Sequence, residues 1–129
     1  MPISIRIVDD KFVVVNCEGK VGLVDFTEAN EYIYSELDPS LSRFQIVNFT
    51  DVAEIDASAE DVRKVAGQDK AAAETLGLVA IAIVAPKDLA FGISRMWEAY
   101  SDAPGVKASV FKDYGSAEEW ILSMRAGKS

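Results

Sequence analysis

The chain has no histidine among its 129 residues and a single cysteine, Cys17. Without histidine there is no Ser-His-Asp or Cys-His pair, no histidine metal cluster and no histidine phosphoacceptor. One cysteine excludes an internal disulfide and, with no histidine, leaves no zinc site of the usual donor set. It also fits a reducing cytoplasm, the expected compartment. Basic residues are the scarcer charge: 13 Lys and Arg against 21 Asp and Glu give a formal net charge of −8. That balance argues against nucleic acid or an anionic membrane as the main partner, because both need basic patches. Long apolar runs are missing too. The longest uncharged run, residues 75–86, is far short of the roughly 20 residues a membrane span needs. No basic region followed by an apolar block marks a signal peptide. Carboxylates and lysines remain for acid–base work, but no pattern pairs them. The expectation is a protein that is not an enzyme and carries neither cofactor nor metal.

What is present suits one soluble domain. Half of the residues are apolar, and a chain of this length buries a core without disulfides or metals. Ile3, Ile5 and Ile7 alternate with Ser4, Arg6 and Val8, the period of a half-buried strand. Asp9 and Asp10 turn the chain into a β-branched run at residues 11–17, which predicts an antiparallel hairpin ended by Gly19 and Gly22. A first helix is expected over residues 26–37, with Asp25 as cap and Glu28 as its reciprocal acid. Its buried stripe is Phe26, Ala29, Ile33 and Leu37; Tyr32 and Tyr34 lie off it, and Pro39 is the stop signal.

Residues 44–49 and 78–85 read as the third and fourth strands, the latter apolar throughout, as in a strand covered on both faces. A helix over residues 59–76 connects them, with Val62, Val65, Ala66, Ala73 and Leu76 inward, Ser58 at its start and Gly77 as left-handed cap. Strand, helix, strand in that order predicts a parallel crossover. A third helix is expected over residues 89–100, a last strand over 106–111, and a final helix capped by Ser116 with Glu119 as its acid. That helix turns Ala117, Trp120, Ile121 and Met124 inward. The fold class is α/β: a single-domain mixed β-sheet, an N-terminal antiparallel hairpin and then alternating helices and strands, ββαβαβαβα.

Several motifs carry no chemistry. Asn48-Phe49-Thr50 matches a glycosylation acceptor but falls on a strand, and Gly127-Lys128-Ser129 resembles the end of a phosphate loop with no helix to follow. Cys17 ends an apolar run and reads as an inert buried thiol. Two places remain. One is Ser58, a helix N-cap with Asp61 as its capping-box acid and, second, a candidate phosphoacceptor beside the positive end of a helix. Asp51, Glu54, Asp56, Glu60 and Asp61 surround it, reading as an acidic turn for binding a partner, and they repel a phosphate of about −1.5 to −2 charge. The other is a candidate ligand cleft at Phe91, Arg95, Met96, Trp97 and Tyr100. There the plainer reading is core filling by the aromatic side chains and a surface ion pair for Arg95.

The stretch IVNFTDVAEIDASAEDVRKVA resembles a STAS domain, the fold of anti-sigma-factor antagonists. Such domains carry Asp-Ser-Ser-Gly after a strand, and a partner kinase phosphorylates the second serine. Asp56-Ala57-Ser58-Ala59 matches the aspartate and the phosphoacceptor, and departs from the pattern at Ala57, Ala59 and Glu60. LVAIAIVAP, FGISRMWEAY and FKDYGSAEEWI resemble a looser bacterial branch, the SpoIIAA-like (STAS-like) proteins. The resemblance implies a sheet of four or five strands, helices packed against it and small homo-oligomers, often homodimers. It implies a regulatory, non-enzymatic module that binds a protein partner, a regulator or kinase. Relatives similar to lipid-carrying CRAL-TRIO domains supply the alternative of a lipid or small apolar ligand.

Overall fold

A computed structural model describes residues 2–85 and 106–127. The expected third helix, the turn at Pro104 and Gly105, and the cleft of Phe91, Arg95, Met96, Trp97 and Tyr100 lie outside the described residues.

The hairpin forms as its alternation requires. Strand β1 (Ile3–Val8) pairs antiparallel with β2 (Phe12–Gly22). Asp9 and Asp10 both take positive φ, 52° and 54°, and Lys11 N–H donates to the Val8 carbonyl at 2.8 Å. This is the primed turn whose twist matches that of paired strands. β2 runs beyond the expected end: Gly19 lies inside it, and Gly22 alone closes it.

Helix α1 (Leu23–Glu36) starts three residues earlier than its acids suggested. Gly22 is the N-cap, and its N–H donates to Asp25 Oδ2 at 2.9 Å. Asp25 is therefore the reciprocal acid and not the cap, while Glu28 is exposed and takes no part. Helix α1 ends at Glu36, before Pro39 as expected, but Pro39 also opens a short helix, α2 (Pro39–Ser42), capped by Asp38. Proline is tolerated at that first position because its missing N–H would have no helical partner.

Strand β3 (Phe44–Asp56) is the largest departure from expectation. The acidic segment after Phe49 is not a turn. It continues the strand, pairing parallel with the extended end of β2 through Glu18 with Asp51, Lys20 with Glu54 and Gly22 with Asp56. Register shifts after Asn16 and after Gly19 give β3 an extra residue each time. The buried positions consequently fall at Phe49, Val52 and Ile55, three apart. Bulges hide the period of two that identifies a strand.

Helix α3 (Ala59–Leu76) has the expected bounds, with Ser58 as N-cap and Gly77 at φ 76° as C-cap. It returns the chain to β4 (Ala80–Val84), buried throughout and parallel to β3. Strand β5 (Lys107–Phe111) pairs parallel with β4. Helix α4 (Tyr114–Arg125) is capped by Asp113, whose Oδ1 accepts the Ser116 N–H at 2.8 Å. Ser116 is thus not the cap, again by an interval of three residues.

The five strands lie in the order β1-β2-β3-β4-β5, antiparallel at the first pair and parallel after it. Alternation divides the core between two faces. Val13, Val15, Val47, Phe49, Ile81 and Ile83 meet α1 and α3, with Phe26 edge-on to Phe49 at 5.9 Å. Phe12, Val14, Ile46, Ala82 and Val84 meet Ala117 and Ile121 of α4. No described helix is long and apolar enough to cross a membrane.

Candidate functional site

Ser58 stands where β3 ends and α3 begins, at the carboxyl end of parallel strands. Its side chain is exposed. The hydroxyl accepts the Asp61 N–H at 3.1 Å, and Asp61 Oδ2 accepts the Ser58 N–H at 3.1 Å. Ala57 and Ser58 are the whole connection, so a short link presents the serine from two rigid elements.

The structure divides the surrounding acids by role. Asp61 is held in the cap. Glu54 and Asp56 flank Lys20, whose Nζ lies 4.0 Å and 3.9 Å from their carboxylates. Asp51 and Glu60 are exposed and form no ion pair among the described residues. Asp51, Glu54 and Asp56 project from strand β3, and Glu60 from the first turn of α3. The five carboxylates thus form a strand-to-helix edge and not a flexible turn. Gly22 lies against this edge: a β-carbon there would sit 3.1 Å from the Asp56 carbonyl oxygen.

A second polar group lies inside the molecule. Tyr34 Oη donates to Asp69 Oδ1 at 2.6 Å and accepts from Gln45 Nε2 at 3.1 Å. Gln45 Nε2 also donates to the Ser42 carbonyl at 2.9 Å. Asp69 and Gln45 are almost wholly buried, at 1% and 2% exposure. Burial, reinforced by the charge of Asp69, pushes the Tyr34 phenol well above its ordinary value. Asn30 Nδ2 donates to Gln68 Oε1 at 3.0 Å nearby, joining α1 to α3. These contacts join β3, α1 and α3. One signal was available: Asp69 falls three residues after Ala66 and three before Ala72, on the apolar stripe of α3 itself.

Cys17 is buried, and its thiol is pushed up to about 12 by burial and then by the charge of Asp25. It is a packing residue. Among the described residues, no cluster of three His, Cys, Asp or Glu is placed to hold a metal.

This five-stranded sheet with its antiparallel first strand and flanking helices is a SpoIIAA-like, or STAS-like, fold. An uncharacterised protein of the DUF3478 family with a SpoIIAA-like fold, from Shewanella loihica PV-4, is similar at a TM-score of 0.55 and 17% identity over 92% of this chain and 91% of that one. The anti-sigma factor antagonist SpoIIAA in its unphosphorylated form is similar at a TM-score of 0.61 and 13% identity, over 95% of this chain and 97% of that one. At such identities the likeness defines the fold. No known family matches the chain by sequence, and no curated protein does.

Proposed function

We propose that the chain is a non-enzymatic regulatory module that binds a protein partner through the edge formed by Asp51, Glu54, Asp56, Ser58, Glu60 and Asp61. The observation carrying this reading is the exposed Ser58 hydroxyl at the N-cap of α3, between two rigid elements. Likeness to a protein described as an anti-sigma factor antagonist, in a form named unphosphorylated, supports the regulatory class. Asp51 and Glu60, exposed and unmatched by bases among the described residues, supply the charge that a basic partner surface recognises.

Phosphorylation of Ser58 is the proposed switch. A phosphate there meets the free N–H groups of the first turn of α3, which favour it, and the Asp61 carboxylate, which opposes it. The reciprocal bond from Ser58 N–H to Asp61 Oδ2 is the contact most exposed to that repulsion. Phosphorylation would therefore loosen the cap and raise the negative charge of the edge together.

The test compares partner capture and affinity for the wild type, Ser58→Glu, and the triple variant Asp51→Asn, Glu54→Gln, Glu60→Gln. A partner lost by the triple variant and altered in affinity by Ser58→Glu supports both parts. Equal affinity for Ser58→Glu removes the switch, and equal affinity for all three removes the docking edge.

A further inference from the structure

A second surface is built along the side of β1 that faces away from β2. That strand pairs with β2 alone among the described residues, so it is an edge of the sheet. Glu18 N–H donates to the Pro2 carbonyl at 2.8 Å, which sets the antiparallel alternation. By that alternation Ser4, Arg6 and Val8 turn their backbone groups toward β2, and Ile3, Ile5 and Ile7 turn theirs outward. Proteins generally blunt such an edge because it templates pairing with another chain.

Above this edge runs a groove of about 290 Å³ lined by Pro2, Ile3 and Ile5 from the strand side and by Asp25, Glu28, Ala29 and Tyr32 from α1. Its walls are mainly apolar, yet Tyr32 is 49% exposed and Ile7, at the far end of the strand, 43%. Every charged side chain of the lining is an acid. The whole of α1 carries Asp25, Glu28, Glu31 and Glu36 and no Lys or Arg. Arg6, the one base of β1, has turned to the other face, where its guanidinium lies 5.8 Å from the centre of the Tyr114 ring.

We propose that this groove takes an extended, lysine- or arginine-bearing segment of a partner protein, added as a further strand to β1. Main-chain hydrogen bonds to Ile3, Ile5 and Ile7 supply affinity, as in other cases of strand addition. Apolar side chains of the segment meet Ile3, Ile5 and Tyr32, and its basic ones meet Asp25 and Glu28. Charge complementarity selects this occupant over a second copy. Two such edges joined about a twofold axis would face acidic α1 helices on chains of net charge −8.

The probe is a short N-acetylated peptide in which threonine alternates with valine and lysine in turn, compared with the same peptide carrying glutamate for lysine. Saturable binding of the lysine peptide is expected, with new hydrogen-exchange protection at the Ile3, Ile5 and Ile7 amides and none added at Ser4 or Arg6. Glu28→Lys should weaken it about fivefold or more, the scale of reversing an exposed charge pair. Ile5→Pro removes an outward N–H without touching the β1–β2 ladder, and should weaken binding while thermal melting shows the fold kept. Ser58→Glu should leave it unchanged, which separates this surface from the proposed switch. Equal binding of both peptides, no binding of either, or unchanged exchange at the three isoleucines overturns the proposal. So does a chain that sediments as a dimer and becomes monomeric on Ile5→Pro, since that assigns the edge to a second copy.

Discussion

Ser58 and Asp61 exchange hydrogen bonds of equal length, 3.1 Å in each direction, and so close the N-terminus of α3. Each satisfies a backbone donor that the helix itself leaves unpaired. Ser58→Ala removes one of the two and should lower stability by about 1 kcal/mol, read from the midpoint of urea unfolding. Ser58→Gly should cost only a few tenths by the same measurement. Equal stability in all three proteins would mean that the serine does not act as a cap in solution.

Tyr34 and Asp69 join α1 to α3 beneath the surface. Tyr34→Phe removes a donor to a buried carboxylate and an acceptor for Gln45. The expected loss is about 1–3 kcal/mol, since the groups left behind keep their desolvation cost. Tyr32→Phe, on the exposed side of α1, should leave the unfolding midpoint within about 0.5 kcal/mol. The pair of variants tests burial against residue type.

Alkaline pH should unfold the protein more readily, with a sign that follows from two raised groups. Cys17 moves from 9.0 to about 12 and Tyr34 upward from 10.0, both chiefly through burial. In each case the unfolded chain ionises first. The stabilisation is complete below pH 9, begins to fall as unfolded Cys17 ionises, and falls further above pH 10 as unfolded Tyr34 joins it. Urea midpoints measured from pH 8 upward should decline across that window, and Tyr34→Phe should flatten the upper part. A thiol reagent at pH 8 should label Cys17 slowly in the native protein and rapidly in urea.

Two glycines are held for different reasons. Gly77 has φ 76°, and an added β-carbon would also lie 3.3 Å from Arg43 Nε. Gly77→Ala should cost about 1–2 kcal/mol through the left-handed backbone, the Arg43 side chain being able to yield. At Gly22 the neighbour is backbone, the Asp56 carbonyl at 3.1 Å. Gly22→Ala should therefore shift amide resonances of Asp56, Ala57 and Ser58, whereas Gly77→Ala should leave these three unchanged.

Helix α3 was legible from end to end because Ser58, Asp61 and Gly77 act on the backbone within a few residues of themselves. The starts of α1 and α4 each lie three residues before the positions their side chains suggest. Both expectations put the cap at the third helical position, Asp25 and Ser116, because Gly22 has no side chain to announce it and Asp113 reads as a turn residue. Asp51, Glu54 and Asp56 read as a turn because bulges space the buried positions of their strand at Phe49, Val52 and Ile55.

By itself the sequence determined the N-terminal hairpin, the parallel crossover, the two-faced burial of β4 and the position of Ser58 at a helix start. All of these follow from periodicity or from contacts a few residues apart. Only the tertiary structure decided that the acidic segment pairs with the end of β2, that Asp69 is buried with Tyr34 and Gln45, and that α1 leaves a groove beside β1. Those outcomes depend on residues far apart in the chain, where strand pairing and burial override the local preference of each residue.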